Sequence, residues 1–502
     1  MEFNLIENLV TGFSAAGTLQ NVGFALVGCL LGTLIGVLPG IGPIPALAML
    51  LPVTFGLEPL SSLIMLAGIY YGAQYGGSTT SILVNMPGEA SAVVTCIDGH
   101  QMALKGRAGS ALCIAAVGSF FAGTIGTIFI AAFGPLLAAF AQQFTSVEYF
   151  SLMVLGLVMA VVLAQGSVLN AITIILIGLL FGLVGTDVST GTTRLTLGIA
   201  ELWDGIDFLP LVIGMFGIVE VIRNLEEKTL ERKPISTQFK DLWPTREEVR
   251  QAIPAALRGT GLGSILGVLP GGGAVLASFA AYSLEKKSAK DPSRFGKGAV
   301  EGVAGPEAAN NAAAQTSFIP LLTLGLPSNV IMAIMMGAMM IHGIQPGSAV
   351  MTSNPELFWG MVASMWIGNA MLLVINLPLV GLWIKLLTVP YRLLYPVILM
   401  FCVIGVYSNN SEFVQILLMV FFTAFGYLLI RVGCEPAPFV LGFILGPLME
   451  ENLRRSLVLS RGDVTVFLER PISLVLLLMS LFVVALIVLP SIRQTREVAF
   501  KE

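Results

Sequence analysis

Charged side chains are scarce in this chain. They make up 11% of its 502 residues, against 56% hydrophobic, whereas soluble domains carry about 25% charged residues. With a mean hydropathy of +0.88, the apolar surface exceeds what one aqueous core can hide. That excludes a string of soluble domains and points to bilayer-crossing segments, each needing roughly 20 apolar residues. Histidine is nearly missing: His100 and His342 are the two present, which excludes a His-rich metal site. The five cysteines, Cys29, Cys96, Cys113, Cys402 and Cys434, form no CxxC pair and read as small hydrophobes. No basic block exists, and 30 acidic against 26 basic residues give −4, without the electrostatic footprint of a nucleic-acid binder. Residues 1–20 hold no Lys or Arg, so they do not read as a secretory signal. Enzyme signatures are missing too. There is no HExxH and no GxxxxGK[ST], and Gly76-Gly77-Ser78 is not a GxSxG elbow.

What is present is a succession of continuous apolar runs, from 21–56 and 60–84 through 109–141 to 471–490. Continuity rather than alternation excludes transmembrane strands. Helices satisfy their own backbone groups in lipid, so the expected fold is an all-α polytopic membrane protein with about 10–12 membrane segments. The stretch 223–250 interrupts the runs with seven basic residues balanced by six acids. It is expected to be a cytoplasmic linker between a first membrane repeat, 1–222, and a second, 251–502.

The two halves share a motif. Residues 31–42 read LGTLIGVLPGIG and residues 262–273 read LGSILGVLPGGG, with eight of twelve positions identical. Arg246, Arg250, Arg258, Lys286, Lys287, Lys290, Arg294 and Lys297 flank the second copy, while no Lys or Arg flanks the first. By the positive-inside rule the copies lie in opposite orientation. The expectation is two inverted-topology repeats with broken or re-entrant helical hairpins; the alternative is one kinked crossing in each half. Proline removes a backbone donor and glycine reaches conformations closed to other residues, so Gly40, Gly42, Gly271 and Gly273 shape the breaks. Half-helix N-termini at such breaks attract anions, and freed carbonyls coordinate cations. An isolated Pro-Gly would instead read as a packing kink.

Polar residues cluster behind each motif. The first half offers Ser78, Thr79, Thr80, Ser81 and Asn85; the second offers Asn310, Asn311, Thr316, Ser317, Ser328 and Asn329. Their oxygens suit a hard cation such as Na⁺, and their donors suit a carboxylate; serine and threonine also pack membrane helices without any ligand. Glu89 is the clearest ionisable candidate within the apolar layout, although the polar stretch after it is equally compatible with water. Arg258 is expected to snorkel to the interface.

The blocks GVLPGIGP (36–43), YYGAQYGGSTTSILVNMPGEASAVVTCIDGHQMALKGRAG (70–109), GVLPGGG (267–273) and PEAANNAAAQTSFIPLLTLGLPSNVIMAIMMGAMMIHGIQPG (306–347) resemble the large membrane subunit of the tripartite tricarboxylate transporters, the TctA type. The resemblance extends over essentially the whole chain. It implies a multi-pass subunit of a bacterial inner-membrane uptake system for small carboxylates such as citrate. It also implies coupling to a cation gradient, Na⁺ or H⁺, and two partners, a small membrane subunit and a periplasmic solute-binding protein. No other cofactor and no nucleic acid are expected. The rival readings are a passive channel with paired hairpins as filter and an intramembrane enzyme, for which no acid, base or metal cluster is visible.

Overall fold

The computed structural model describes residues 4–38, 41–163, 167–187, 190–226, 234–235, 237, 239–269, 273–387, 389 and 391–488. Helix dominates. The strands among the described residues, Gly185–Thr186 and Thr193–Arg194, form one short antiparallel ladder. Among the described residues, five helices are long and apolar enough to cross a membrane: Leu19–Gly36, Ala90–Ala141, Phe208–Glu226, Pro355–Asn376 and Phe413–Arg431. Six shorter apolar helices of 10–17 residues accompany them, among them Val168–Gly182 and Val330–Ile341. Large apolar side chains point outward along these helices: Leu136 is 65% exposed, Val374 66% and Leu481 65%. Such a surface suits hydrocarbon and not water. The protein is an all-α, multi-pass membrane protein.

The most buried helices are not the most apolar. Helices Pro59–Val84 and Glu301–Thr316 are buried almost end to end, yet neither is among the five long apolar helices. They carry Gln74, Ser78, Glu307, Asn310 and Asn311. Polar groups at membrane depth are costly and face the bundle interior. These two helices therefore take the centre, and the apolar ones form the wall around them.

Glycine lets the centre assemble. Helix 19–36 lies on helix 59–84 along Gly28, Gly32 and Gly36. A Cβ at these positions would sit 2.3, 2.3 and 2.2 Å from the carbonyl oxygens of Met65, Ile69 and Ala73. The facing helix answers with Gly68, Gly72 and Gly76, equally pressed against the backbone of helix 19–36. The same seam recurs in the second half. On helix Arg246–Val268, a Cβ at Gly259, Gly263 or Gly267 would stand 2.2, 2.2 and 2.4 Å from the carbonyl oxygens of Gly305, Ala309 and Ala313 on helix 301–316. Small residues drive close helix packing in membranes, where the hydrophobic effect between helices is missing.

The segments that follow also end alike. Helix 59–84 stops at Asn85 and helix Phe318–Leu324 at Gly325, both left-handed. Pro87 and Pro327 come two residues later, then the extended residues Glu89 and Asn329. Of the residues expected to shape the breaks, Gly40 and Gly271 lie outside the described residues. Gly42 begins helix Pro43–Leu50 and Gly273, at φ +47°, begins helix Gly273–Ser288. The second arms differ: 43–50 leans on helix 59–84 and on residues 213–218, whereas 273–288 packs on both 246–268 and 301–316. The stretch 223–250 is not uniformly loop, because helix 246–268 starts within it, capped by a reciprocal Thr245–Glu248 box.

The seams predict a graded result. Gly32→Val or Gly263→Val drives a side chain into backbone and costs about 1–3 kcal/mol or more. Gly23→Ala and Gly261→Ala, with nothing within 4 Å, leave stability unchanged or raise it by about 0.5–1 kcal/mol. Thermal unfolding of the detergent-solubilised variants, followed by size-exclusion recovery, measures this.

Candidate functional site

Where the two central helices face each other lie a buried carboxylate, Glu307, and a half-buried one, Glu89. Glu307, 1% exposed, sits on helix 301–316. Its Oε2 accepts from Ser78 Oγ at 2.7 Å, and its Oε1 accepts from Thr95 Oγ1 on helix Val93–Met102. Ser119 is a third hydroxyl partner. Glu89 follows the first helix end. Its Oε1 accepts from Asn310 Nδ2 at 3.0 Å and from Ser91 Oγ. Gln74 Nε2 in turn donates to Asn310 Oδ1 at 3.0 Å, so the chain Gln74–Asn310–Glu89 has one direction and ends on the carboxylate. Asn311 donates to Ser119 Oγ at 2.7 Å and to the Glu307 carbonyl at 3.1 Å. Tyr71 donates to Gln315 Oε1 at 2.8 Å. Among the described residues, no Lys, Arg or His side chain pairs with either carboxylate.

The network leaves some oxygens bare. Gln74 Oε1 and Asn376 Oδ1 are buried without a hydrogen-bond partner. A buried polar atom without a partner costs about 1–3 kcal/mol, and a buried charge without a counter-charge costs several more. This centre is thus built at an energetic loss, which is the usual mark of a functional site in a membrane protein.

The expected residues divide into groups. Ser78, Asn310 and Asn311 belong to the carboxylate network, and Thr79 lines a cavity beside it. Thr80 reaches across the glycine seam to the Val37 carbonyl at 2.8 Å, and Ser81 donates to Gly77 O. Asn85 forms the left-handed helix end. Thr316 donates to Ala312 O. Ser317, Ser328 and Asn329 form a separate cluster: Ser317 donates to Gly267 O, Ser328 to Ser317 O, and Asn329 caps helix 330–341 through Met332 N. Each described break residue meets its own half's extended residue. A Cβ on Gly42 would touch Glu89 Cβ at 3.3 Å, and one on Gly273 would touch Asn329 Nδ2 at 3.5 Å.

Arg258, whose side chain is 43% exposed, forms a two-point pair with Glu285, at 2.8 and 2.6 Å, and Glu285 is 2% exposed. Glu285 leaves the backbone beside Gly305, so burying its carboxylate requires that partner. Glu89 is no freely solvated side chain, since it ends the Asn310 chain. Glu307 was missed altogether. Its only signal is one acid in the small-residue run PEAANNAAA. Asn376, at the end of helix 355–376, gave none.

A third acid fixes the geometry. Asp98, fully buried, accepts from the backbone N–H groups of Gly298 and Ala299 at 2.7 and 2.8 Å and from the Tyr282 hydroxyl at 2.9 Å. It ties helix 93–102 to the start of the helix that carries Glu307. Hydrogen bonds to charged groups are worth about 1.5–3 kcal/mol. Asp98→Asn, which loses an acceptor facing those donors, is expected to destabilise by about that amount, and Tyr282→Phe by about 1 kcal/mol. Melting of the purified variants in detergent tests the order.

A multi-pass helical bundle with a buried polar centre defines a membrane transport protein. The chain matches the tripartite tricarboxylate transporter TctA family over residues 22–441, and it belongs to that family. It is therefore the large membrane subunit of a tripartite transporter, a system that implies a small membrane subunit and a periplasmic binding protein as partners. The family is one of transporters and not of enzymes. A 52.8 kDa Agrobacterium vitis protein from the TAR-I ttuC′ 3′ region, itself uncharacterized, is 56% identical over 499 residues, 99% of each chain. A second uncharacterized Agrobacterium vitis protein, from the TAR-II ttuC′ 3′ region, is 60% identical over 240 residues, 48% of this chain and 99% of its own. No solved structure matches.

Proposed function

We propose that this subunit carries small di- and tricarboxylates across the bacterial inner membrane by secondary active uptake, driven by a cation gradient and supplied by the periplasmic binding protein. The observation that carries the reading is the buried carboxylate of Glu307 and the half-buried one of Glu89, on hydroxyl and amide donors. An anionic substrate brought near them meets like charge in a low-dielectric interior, an interaction of several kcal/mol at an effective dielectric constant near 20. It enters at low cost only when a cation has neutralised the centre. Electrostatics alone then links anion and cation movement, without a dedicated basic residue.

In this reading the two halves divide the labour. The hydroxyl of Ser78 donates to Glu307 and that of Thr79 to the carbonyl four residues back. With both protons committed within the protein, their oxygen lone pairs are what a cation in the adjoining cavity meets. The substrate carboxylate is instead held at the start of helix 273–288, where free N–H groups gather; Pro43 and Pro45 leave the start of helix 43–50 few such donors. Gly273 allows its close approach and Asn329 Nδ2 supplies a side-chain donor. Alternating access moves these hairpins against the apolar wall, and the recurring glycine seams support an internal repeat.

Reconstitution with both partners and uptake of labelled citrate and smaller dicarboxylates tests this. Uptake is expected to require an inward cation gradient, to fall about tenfold or more in Asn329→Ala, and to vanish in Asn329→Asp, which places a negative charge against the substrate. Uptake that persists without any cation gradient rules out the coupled mechanism.

A further inference from the structure

Beside Glu307, between helices 59–84, 108–141, 301–316 and 355–376, lies a cavity lined by Tyr75, Ser78, Thr79, Ser119, Glu307 and Asn376. Its free space of ≈ 20 Å³ holds one water or one small ion. Its polar lining is made of oxygens, and the hydrogen bonds around it aim lone pairs inward. Asn376, 7% exposed, donates its amide N–H to Leu372 O at 2.9 Å. That bond fixes the orientation of the amide, and its Oδ1, which has no partner, is the acceptor left over on a cavity-lining side chain. Thr79 donates to Tyr75 O at 3.1 Å, and Tyr75 donates its hydroxyl to Asn369 Oδ1, also at 3.1 Å. Both keep acceptor capacity. Glu307 supplies a negative charge.

The geometry points to a binding site for one hard monovalent cation of sodium size, held by the Glu307 carboxylate and Asn376 Oδ1 with neutral hydroxyl oxygens completing the shell. Hard oxygen donors suit such an ion and not a thiophilic or imidazole-seeking metal. One carboxylate among neutral oxygens balances a single positive charge; calcium sites gather more acids and six to eight oxygens. A proton on Glu307 would neutralise the acid yet occupy none of the remaining oxygens, whereas a cation in the cavity engages both the acid and the bare amide oxygen. The site sits where helix 355–376 from the second half meets the polar centre shared by helices 59–84 and 301–316. A cation there engages side chains of all three helices. Its role as the coupling ion rests on the uptake mechanism proposed above, but its existence does not.

The test is therefore direct cation binding to the purified full-length subunit, without partners or carboxylate. Binding of ²²Na⁺ and sodium-dependent thermal stabilisation are measured at constant ionic strength against potassium and choline, across a range of pH. Saturable sodium binding is expected in the wild type. It is lost in Glu307→Gln and weakened about tenfold in Asn376→Leu, while each variant still elutes as a folded species. The inference is overturned if the wild type binds no sodium, if stabilisation follows pH alone, or if both variants bind sodium as the wild type does. Sodium binding combined with gradient-independent uptake would refute the coupling mechanism and leave the site standing.

Discussion

A carboxylate cannot remain charged and alone inside a membrane protein, and this protein places Glu307 there, with the half-buried Glu89 nearby. Glu307 and Glu89 are answered by hydroxyls and amides, which orient them but carry no positive charge. Several other buried acids have cationic partners: Glu285 pairs with Arg258, Glu148 with Arg470, and Asp187 with Arg194 and Arg454. Asp98 is instead held by two backbone N–H groups and a tyrosine hydroxyl. At Glu307, among the described residues, no basic side chain is in place, and the counter-charge is left to come from outside.

The rest of the architecture makes that centre possible. Two helices too polar to face lipid are brought within backbone contact of their neighbours by glycine, at Gly28, Gly32 and Gly36 in one half and Gly259, Gly263 and Gly267 in the other. Close approach excludes water and lipid from the polar faces, so polar side chains from separate helices find one another. Gly88 continues the theme: a Cβ there would fall 2.3 Å from Gly77 Cα. The extended segment that delivers Glu89 therefore lies directly against helix 59–84. Asp98 then clamps the start of the Glu307 helix through two backbone N–H groups. The price of this arrangement is tolerance, since neither seam accepts a side chain.

Much of the fold was legible in the sequence because its determinants are local. Continuous apolar runs dictate helices in lipid. The segments 70–89 and 307–330 were singled out by their hydroxyls and amides, and the structure does bring Ser78, Asn310 and Asn311 together. What the sequence concealed was partnership. Thr80, Ser81 and Thr316 look like ligands in a list of residues, but their hydroxyls serve backbone carbonyls of their own or the adjoining helix. Glu307 hides among alanines and asparagines, and Asn376 is one amide at the end of an apolar helix. Both matter because helices distant in sequence converge, which no local pattern records. The glycine triads were visible as small residues four apart, but their meaning as seams needed the facing helix.

The central claim is that a cation completes the charge balance at Glu307, and the most direct measurement is a map of the intact transporter in sodium at a resolution that shows bound ions. The account predicts density between the Glu307 carboxylate and Asn376 Oδ1, coordinated by oxygens and lost when choline replaces sodium. A dry, closed contact in sodium, or a basic side chain of a partner subunit seated against Glu307, would contradict it.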